Sequence, residues 1–410
     1  MHSTSRRTVM KGLALGVVNV AAGCSARSTS RSNLRRVETS FEPCQKKAFT
    51  DSVTGRTIWQ LTDGTLESKH SYYDLCPWSH DGAYLVFNSV DPATLSPGAP
   101  GPYGSALVSE SAMIRIMDTT SFRIRTVGTN AAYNSHAAAF AMWQPQHHNV
   151  YYNHRGGKVG VIDINEGTIR LTAGRIRQMS SDGRTLVYLG RSEQQHDSKS
   201  TSADAVFVVN ADDSNPRRVI TKKQLYALTP NKNQFTLDEM SIGNTKWRCD
   251  NKHILLANFV HPKPDARRSL YVVRKDGSEA RWLCYFGHHH SWSPDGASIL
   301  FNDHKPGSGY RMHLIDFDGT NRRLVTDAIE GSHPLMSADG TRIADFDHKG
   351  IFLVHLADGS VERLSIYRKP FRMDVAGTHP HVVWNHDGSQ LLYNSAETGH
   401  SELYMIPDVA

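Results

Sequence analysis

The sequence predicts an all-β fold: a seven-bladed β-propeller with four antiparallel strands per blade, its ring closed by an N-terminal strand. Three observations predict it. A strand–turn–strand unit recurs seven times past residue 50. Hairpins of a second kind lie between these units. One strand is lacking from the last unit and one is spare at the start. A period of about 45 residues carrying four strands is the signature of a propeller blade.

In chain order the first unit is DLCPWSHDGAYLVFNSV at Asp74, followed by AMWQPQHHNVYYN at Ala141, IRQMSSDGRTLVYLG at Ile176 and NTKWRCDNKHILLANF at Asn244. HSWSPDGASILFND at His290, HPLMSADGTRIADF at His333 and HVVWNHDGSQLLYNS at His381 complete the set. Five of the seven place Asp-Gly in the turn, a dipeptide that tolerates the positive φ of a tight hairpin. VGVIDINEGTIRLT, SLYVVRKDGSEARWL, MHLIDFDGTNRRLV and IFLVHLADGSVERL are the intervening hairpins, each with two alternating strands around a polar turn. Longer intervals hold insertions at 91–111 and 192–204; the first is rich in Pro, Gly and Ser and reads as a loop. The last unit stops one strand short. GRTIWQLT at Gly55 is therefore expected to pair beside Leu403 to Ile406, which removes the exposed edge and closes the ring.

Upstream, Arg6, Arg7 and Lys11 precede an apolar stretch from Gly12 to Gly23. A basic start, a short apolar core and small residues make a signal peptide over residues 1–23. The Arg pair resembles a twin-arginine signal, and Ala21-Ala22-Gly23-Cys24 resembles a lipoprotein box with Ala in place of the usual Leu. Residues 24–50 then read as a flexible tether, and 51–410 as the propeller domain. The expected location is the periplasm or cell surface, with the membrane reached only through a lipid on Cys24.

The composition excludes several classes. The chain has 410 residues and mean hydropathy −0.45, with no later apolar run long enough to be a multi-spanning protein. Five Cys are too few for a disulfide scaffold, and Cys44, Cys76, Cys249 and Cys284 read as free thiols. The net charge of +6 belongs to the leader and tether, which carry +3 and +4; the rest of the chain is near −1. Nucleic acid is not the expected partner.

Histidine carries the chemistry. Twelve of the 22 His lie at or beyond His288. His289 and His381 each precede a Trp by three residues, and His289, His333 and His381 each precede the turn Gly by seven. They thus occupy one place in three successive units, and equivalent places converge on one channel mouth. Period 2 puts His379 on the same side as His381. Such imidazoles suit a divalent cation such as Mn, Zn or Ni, and residue types alone do not separate manganese from zinc or calcium.

HSYYDLCPWSHDG at His70, GHHHSWSPDG at Gly287, GSHPLMSADG at Gly331 and GTHPHVVWNHDG at Gly377 make the chain resemble the oligogalacturonate lyases, seven-bladed propeller enzymes. The resemblance implies that His289 is the base and that His333, His379 and His381 bind a metal, usually manganese, with a Gln whose position here is Ala376. It also aligns an Arg of that family with Arg267-Arg268, of which Arg268 is the expected neutraliser and Arg267 a substrate contact. Ulvan lyases are similar in architecture; against them His70, Tyr72, His136 and His154 become candidate substrate-binding residues. The implied partner is an anionic polysaccharide or oligosaccharide.

β-Elimination at a uronic acid needs few parts. The carboxylate is neutralised by a metal or Arg, and a base of near-neutral pKa takes the C5 proton. Two other classes compete. A TolB-like binding propeller needs no metal, and a glycoside hydrolase needs paired carboxylates. No acid occupies the repeated channel place, which argues against hydrolysis.

Overall fold

A computed structural model describes residues 33–34, 40–101, 104–174, 176–190, 204–230, 235–260, 268–303, 305, 309–368 and 378–409. Arg267 and Ala376, the leader, and the insertion at 192–203 lie outside the described residues, as does most of the segment before residue 40. The described residues all fall in one unit, Arg31–Ala410.

The regular secondary structure is antiparallel strand, apart from one short α-helix, Lys222–Leu228, and one 3-10 turn, Pro92–Thr94, among the described residues. The α-helix was not expected from the repeats. A capping box starts it: the Thr221 hydroxyl accepts from the Gln224 amide while the Gln224 side chain accepts from the Thr221 amide.

The third to sixth units each give a four-stranded sheet. The fifth is typical: Gly287–Trp292, Ser298–Asp303, Arg311–Asp316 and Arg323–Leu324 pair in sequence. Alternate residues of each strand enter the space between sheets. Val187 and Val206 of the third unit pack in one cluster with Ile254, Leu256 and Val273 of the fourth. The Asp-Gly turns are braced alike, with the hydroxyls of Ser79, Ser180, Ser293 and Ser337 donating to Asp81, Asp182, Asp295 and Asp339 at 2.5–2.6 Å.

The N-terminal strand pairs as its sequence requires. Thr57–Gln60 runs beside Glu402–Ile406, with Trp59 opposite Met405 and Gln60 opposite Tyr404. The packed chain also begins earlier than residue 51. Lys47–Thr50 adds a further strand outside Thr57–Gln60, because Ala48 and Phe49 find Trp59 and Ile58 opposite them.

Two features differ from expectation. Residues 91–111 are not simply a loop: Ser96–Gly101 pairs with Gly104–Asp118, the long third strand of the first unit. Its Pro residues are accommodated at a register shift between Pro97 and Pro100, where ladder donors are dispensable. The first two units also share one sheet, because His154 pairs with Ala131 on Ile124–Asn134.

Neighbouring units are tied through their inner strands. Indole N–H groups of Trp143, Trp292 and Trp384 donate to the carbonyls of Pro77, Lys246 and Leu335, each in the preceding unit, at 2.8, 3.2 and 3.0 Å. His386 in the last unit donates to the Ser79 carbonyl of the first at 2.8 Å. These are the Trp residues that mark the repeat in the sequence.

Candidate functional site

The repeated His place takes left-handed backbone in two of its three His units, at His289 and His381 but not at His333. His289 and His381 have φ of 43° and 47°. Asn244 and Phe140, also three residues before a Trp, have φ of 49° and 54°. Ladder register shifts there between Gly243 and Lys246 and between His288 and Ser291. A bulge re-aims its side chain, and left-handed backbone is unfavourable for such residues. Because Phe and Asn adopt the same conformation, the bulge belongs to the repeat. The chemistry lies in what this chain mounts on it.

Five His rings and Tyr72 close around one point. His289 stacks on His333 with centroids 3.6 Å apart, and His333 lies 4.7 Å from His381. His379 lies 5.4 Å from His381 and 4.6 Å from His136. The Tyr72 ring packs 4.8 Å from His381 and 5.6 Å from His333. Tyr72 arrives by an excursion of the first inner strand, which leaves the ladder after Lys69 and rejoins it at Trp78.

His136 reaches the cluster from a tight turn in which the Asn134 side chain accepts from the amides of His136 and Ala137 at 3.1 and 2.8 Å. His70 is buried nearby, its amide donating to Asn394 at 3.1 Å. Arg268 is also buried, with its guanidinium 4.9 Å from the Phe259 ring and close enough to His289 to influence its titration. The candidate His154 and the neighbouring His290 serve elsewhere. His154 bonds the Arg155 carbonyl and packs on Tyr152, and His290 donates Nε2 to the Asn244 carbonyl at 2.8 Å, so neither joins the ring cluster. Cys44, Cys76, Cys249 and Cys284 are all free.

The site favours neutral imidazole. Burial, then the positive charge of Arg268, holds His289 well below the ordinary His value. His379 is lowered to about 3, by burial first, with the charges of His136 and Lys69 adding; His136 is solvent-exposed by its surface area, and the charges of Lys69 and Arg177 act on it in the same direction. Lys69 is itself lowered to about 7 by burial, against the opposing charge of Glu67. Its ammonium donates to the Ser135 carbonyl at 2.7 Å, beside His136. Lys69, Arg177 and Arg268 thus form a local basic surround in a body of near-zero net charge.

The fold recurs in known proteins. An oligogalacturonate lyase in complex with manganese superposes with a TM-score of 0.66 at 16% identity, over 90% of this chain and 98% of that one. Another oligogalacturonate lyase, from Vibrio parahaemolyticus, gives 0.69 at 13% identity, over 91% and 99%. The chain has the fold of the oligogalacturonate lyases. No protein-family model matches the sequence, and no curated protein does.

The residues on the lyase fold suit a cation. Donor atoms of His136, His379 and His381 all lie within 4.8 Å of one another. His379 Nδ1, His381 Nε2 and His333 Nε2 are buried with no hydrogen-bond partner, which is costly unless something binds them. The converging trio contains His136, which the resemblance does not assign to metal. His333 stands beside it, stacked on His289 and with Nδ1 engaged by the Ser332 hydroxyl at 2.9 Å.

Sequence reasoning missed the residues that position these strands. An amide or acid in the second strand of several units holds the entry to an inner strand, its own or the next. Asn302 donates to the Gly331 and Ser332 carbonyls at 3.2 and 2.8 Å. Asp345 accepts the His333 amide at 2.7 Å, and Asn394 accepts the His70 amide while donating to the His379 carbonyl at 3.1 Å. Its signal was present: Asn recurs after the apolar run in FNSV, YYNH, LANF, LFND and LYNS. Gly331 serves the same contact, since a Cβ there would collide with the Asp345 carboxylate. Tyr73 and Lys246 gave no such signal. Lys246 donates to the Tyr73 hydroxyl at 2.8 Å, which donates to the His290 carbonyl at 2.9 Å, joining the first, fourth and fifth units across the centre.

Proposed function

We propose that the repeated units form one seven-bladed propeller and that the protein is a lyase. It cleaves a uronic-acid polysaccharide or its oligomers, of the oligogalacturonate or ulvan type, by β-elimination. The observation that carries this reading is the meeting of His136, His289, His333, His379 and His381, held neutral, with buried Arg268 at one site.

His289 is the base. Kept neutral by burial and by Arg268, it accepts the C5 proton; the incoming uronate carboxylate offsets the Arg268 charge and raises its basicity when substrate is bound. Arg268 and Lys69 neutralise that carboxylate, which is what makes the C5 proton removable. The C4–O4 bond then breaks, a C4=C5 double bond forms and solvent supplies the proton to O4. His136, His379 and His381, with His333 adjoining, would hold a divalent cation, manganese by resemblance, which supplies Lewis-acid stabilisation of the carboxylate when bound. Arg267 is a further substrate contact in this reading.

The leader is part of the proposal. Residues 1–23 are removed and Cys24 is lipidated, which holds the lyase at the periplasmic or cell surface; mass spectrometry of the native N-terminus tests it. For the activity itself, purified protein is offered oligogalacturonates, ulvan and glycosaminoglycans, and ultraviolet absorbance of the unsaturated uronate is followed. An increase with one class names the substrate. No increase with any uronic-acid polymer overturns the lyase reading in favour of a binding propeller.

A further inference from the structure

A different cluster lies at the opposite ends of the inner strands, in the turns of the first and second units. Donor atoms of His80, Asp81 and His148 all lie within 4.8 Å of one another. Asp81 belongs to the Ser-x-Asp-Gly turn of the first unit. Its Oδ1 is committed, accepting from the Ser79 hydroxyl at 2.6 Å and the Ala83 amide at 3.1 Å. That leaves Oδ2, which faces His148 Nε2 at 3.0 Å. His148 comes from the corresponding turn of the second unit and is held in place by Trp143 and Tyr84, with ring centroids 6.2 and 5.9 Å away. The His80 ring lies 5.0 Å from the His148 ring.

The repeat provides an internal control. The place of His80 is taken by Ser181, Pro294 and Ala338 in the third, fifth and sixth units, which keep the turn Asp but offer no imidazole. In the seventh it is His386, whose Nε2 is spent on the Ser79 carbonyl. Only between the first two units, among the described residues, do two imidazoles from adjoining turns meet the free oxygen of a braced Asp. The braced turn does not require either His.

We propose that His80, Asp81 Oδ2 and His148 form a divalent-cation site of the zinc and nickel class, clamping the turns of the first two units. Two imidazoles and a carboxylate are the donor set that such cations prefer, and hydrogen bonds to the second carboxylate oxygen are the usual way of orienting a ligand. The cation replaces the proton shared by His148 and Asp81. A cleft of about 380 Å³ adjoins the site, lined by His80, Asp81, His386 and Asp387 among others and by no Lys or Arg among the described residues, which leaves room for water as a further ligand. Nothing in this site depends on the proposed lyase chemistry.

The test is isothermal titration of zinc chloride into full-length protein stripped with chelator. It is run on the wild type, His80→Ala, His148→Ala and, as a control for the channel site, His379→Ala. The expected result is one zinc equivalent that is lost from His80→Ala and from His148→Ala but kept by His379→Ala. Zinc should also raise the melting temperature of the wild type more than that of either turn variant. His80→Ala keeps the wild-type melting temperature without metal, because His80 is exposed; His148→Ala gives up a half-buried ring packed on Trp143 and Tyr84 and a bond to Asp81, so it starts from a lower melting temperature and is read by the shift that zinc causes. If His80→Ala and His148→Ala bind as many zinc equivalents as the wild type, the proposal is overturned, whatever His379→Ala does.

Discussion

His289 lies face to face with His333, their ring centroids 3.6 Å apart and their planes inclined by 23°. Two stacked imidazoles do not readily both carry a proton, since like charges at this separation repel strongly in a buried setting. A proton taken by His289 therefore keeps His333 neutral, available as a donor to whatever its buried Nε2 faces.

Replacing His289 with Ala removes the proposed base from a bulge that Phe140 and Asn244 show to be tolerant of side-chain type. The fold should survive, and turnover on the cleaved uronate should fall on the order of a hundredfold to ten-thousandfold. Steady-state kinetics with a melting curve checks it; wild-type turnover in a folded variant removes His289 from the role.

The geometry separates two donor sets for the proposed cation. If His136, His379 and His381 are the ligands, His136→Ala should weaken metal binding at least as much as the loss of a supporting partner does elsewhere, about tenfold to a hundredfold. If the set is His333, His379 and His381, His136→Ala should leave metal content unchanged. Elemental analysis after dialysis against graded chelator distinguishes them.

The repeat was legible because its signals are local. Asp-Gly turns, alternation and the Trp spacing are written within each unit, and the count implied the pairing of Trp59 with Met405. His289, His333 and His381 were legible for the same reason, as a shared offset from a Trp or a Gly; His379 was placed by alternation from His381, although the strand itself begins only at Val383. His136 was recognised as a residue but not as a neighbour of His379, because it leaves a turn outside the repeated register. Lys69, Tyr73 and Lys246 act through contacts between distant units, which no spacing within one unit encodes.

Asn394 makes the dependence on such contacts measurable. Its buried side chain accepts from the His70 amide and donates to the His379 carbonyl, both at 3.1 Å. Asn394→Leu leaves both backbone groups unpaired, at a cost of about 1–3 kcal/mol each before relaxation. Denaturant unfolding should show the loss, and activity should fall by more than the folded fraction does, because the segment bearing His379 is no longer fixed. Unchanged stability would mean that water replaces the amide.

Acid stability tests the network around His290, a residue that is not one of the proposed metal ligands. Burial, and then the charge of Lys246, lowers His290 to about 3, against the opposing bond to the Asn244 carbonyl. Lys246 is itself paired with Asp74 at 3.1 Å, and the Tyr73 hydroxyl bonds the His290 carbonyl. An unfolded His titrates near 6.5. Between that value and about 3 the unfolded chain binds a proton that folded His290 refuses. Its contribution to stability is thus complete above pH 6.5 or so and is lost as pH falls, at up to about 1.4 kcal/mol per pH unit. His290→Gln keeps a donor for the Asn244 carbonyl and cannot titrate. Urea unfolding in chelator should therefore show a shallower decline in stability from about pH 6 to pH 4 for this variant, by close to one proton. An unaltered slope would mean that His290 binds its proton in the folded state, and that the network through Lys246 and Tyr73 does not hold it neutral.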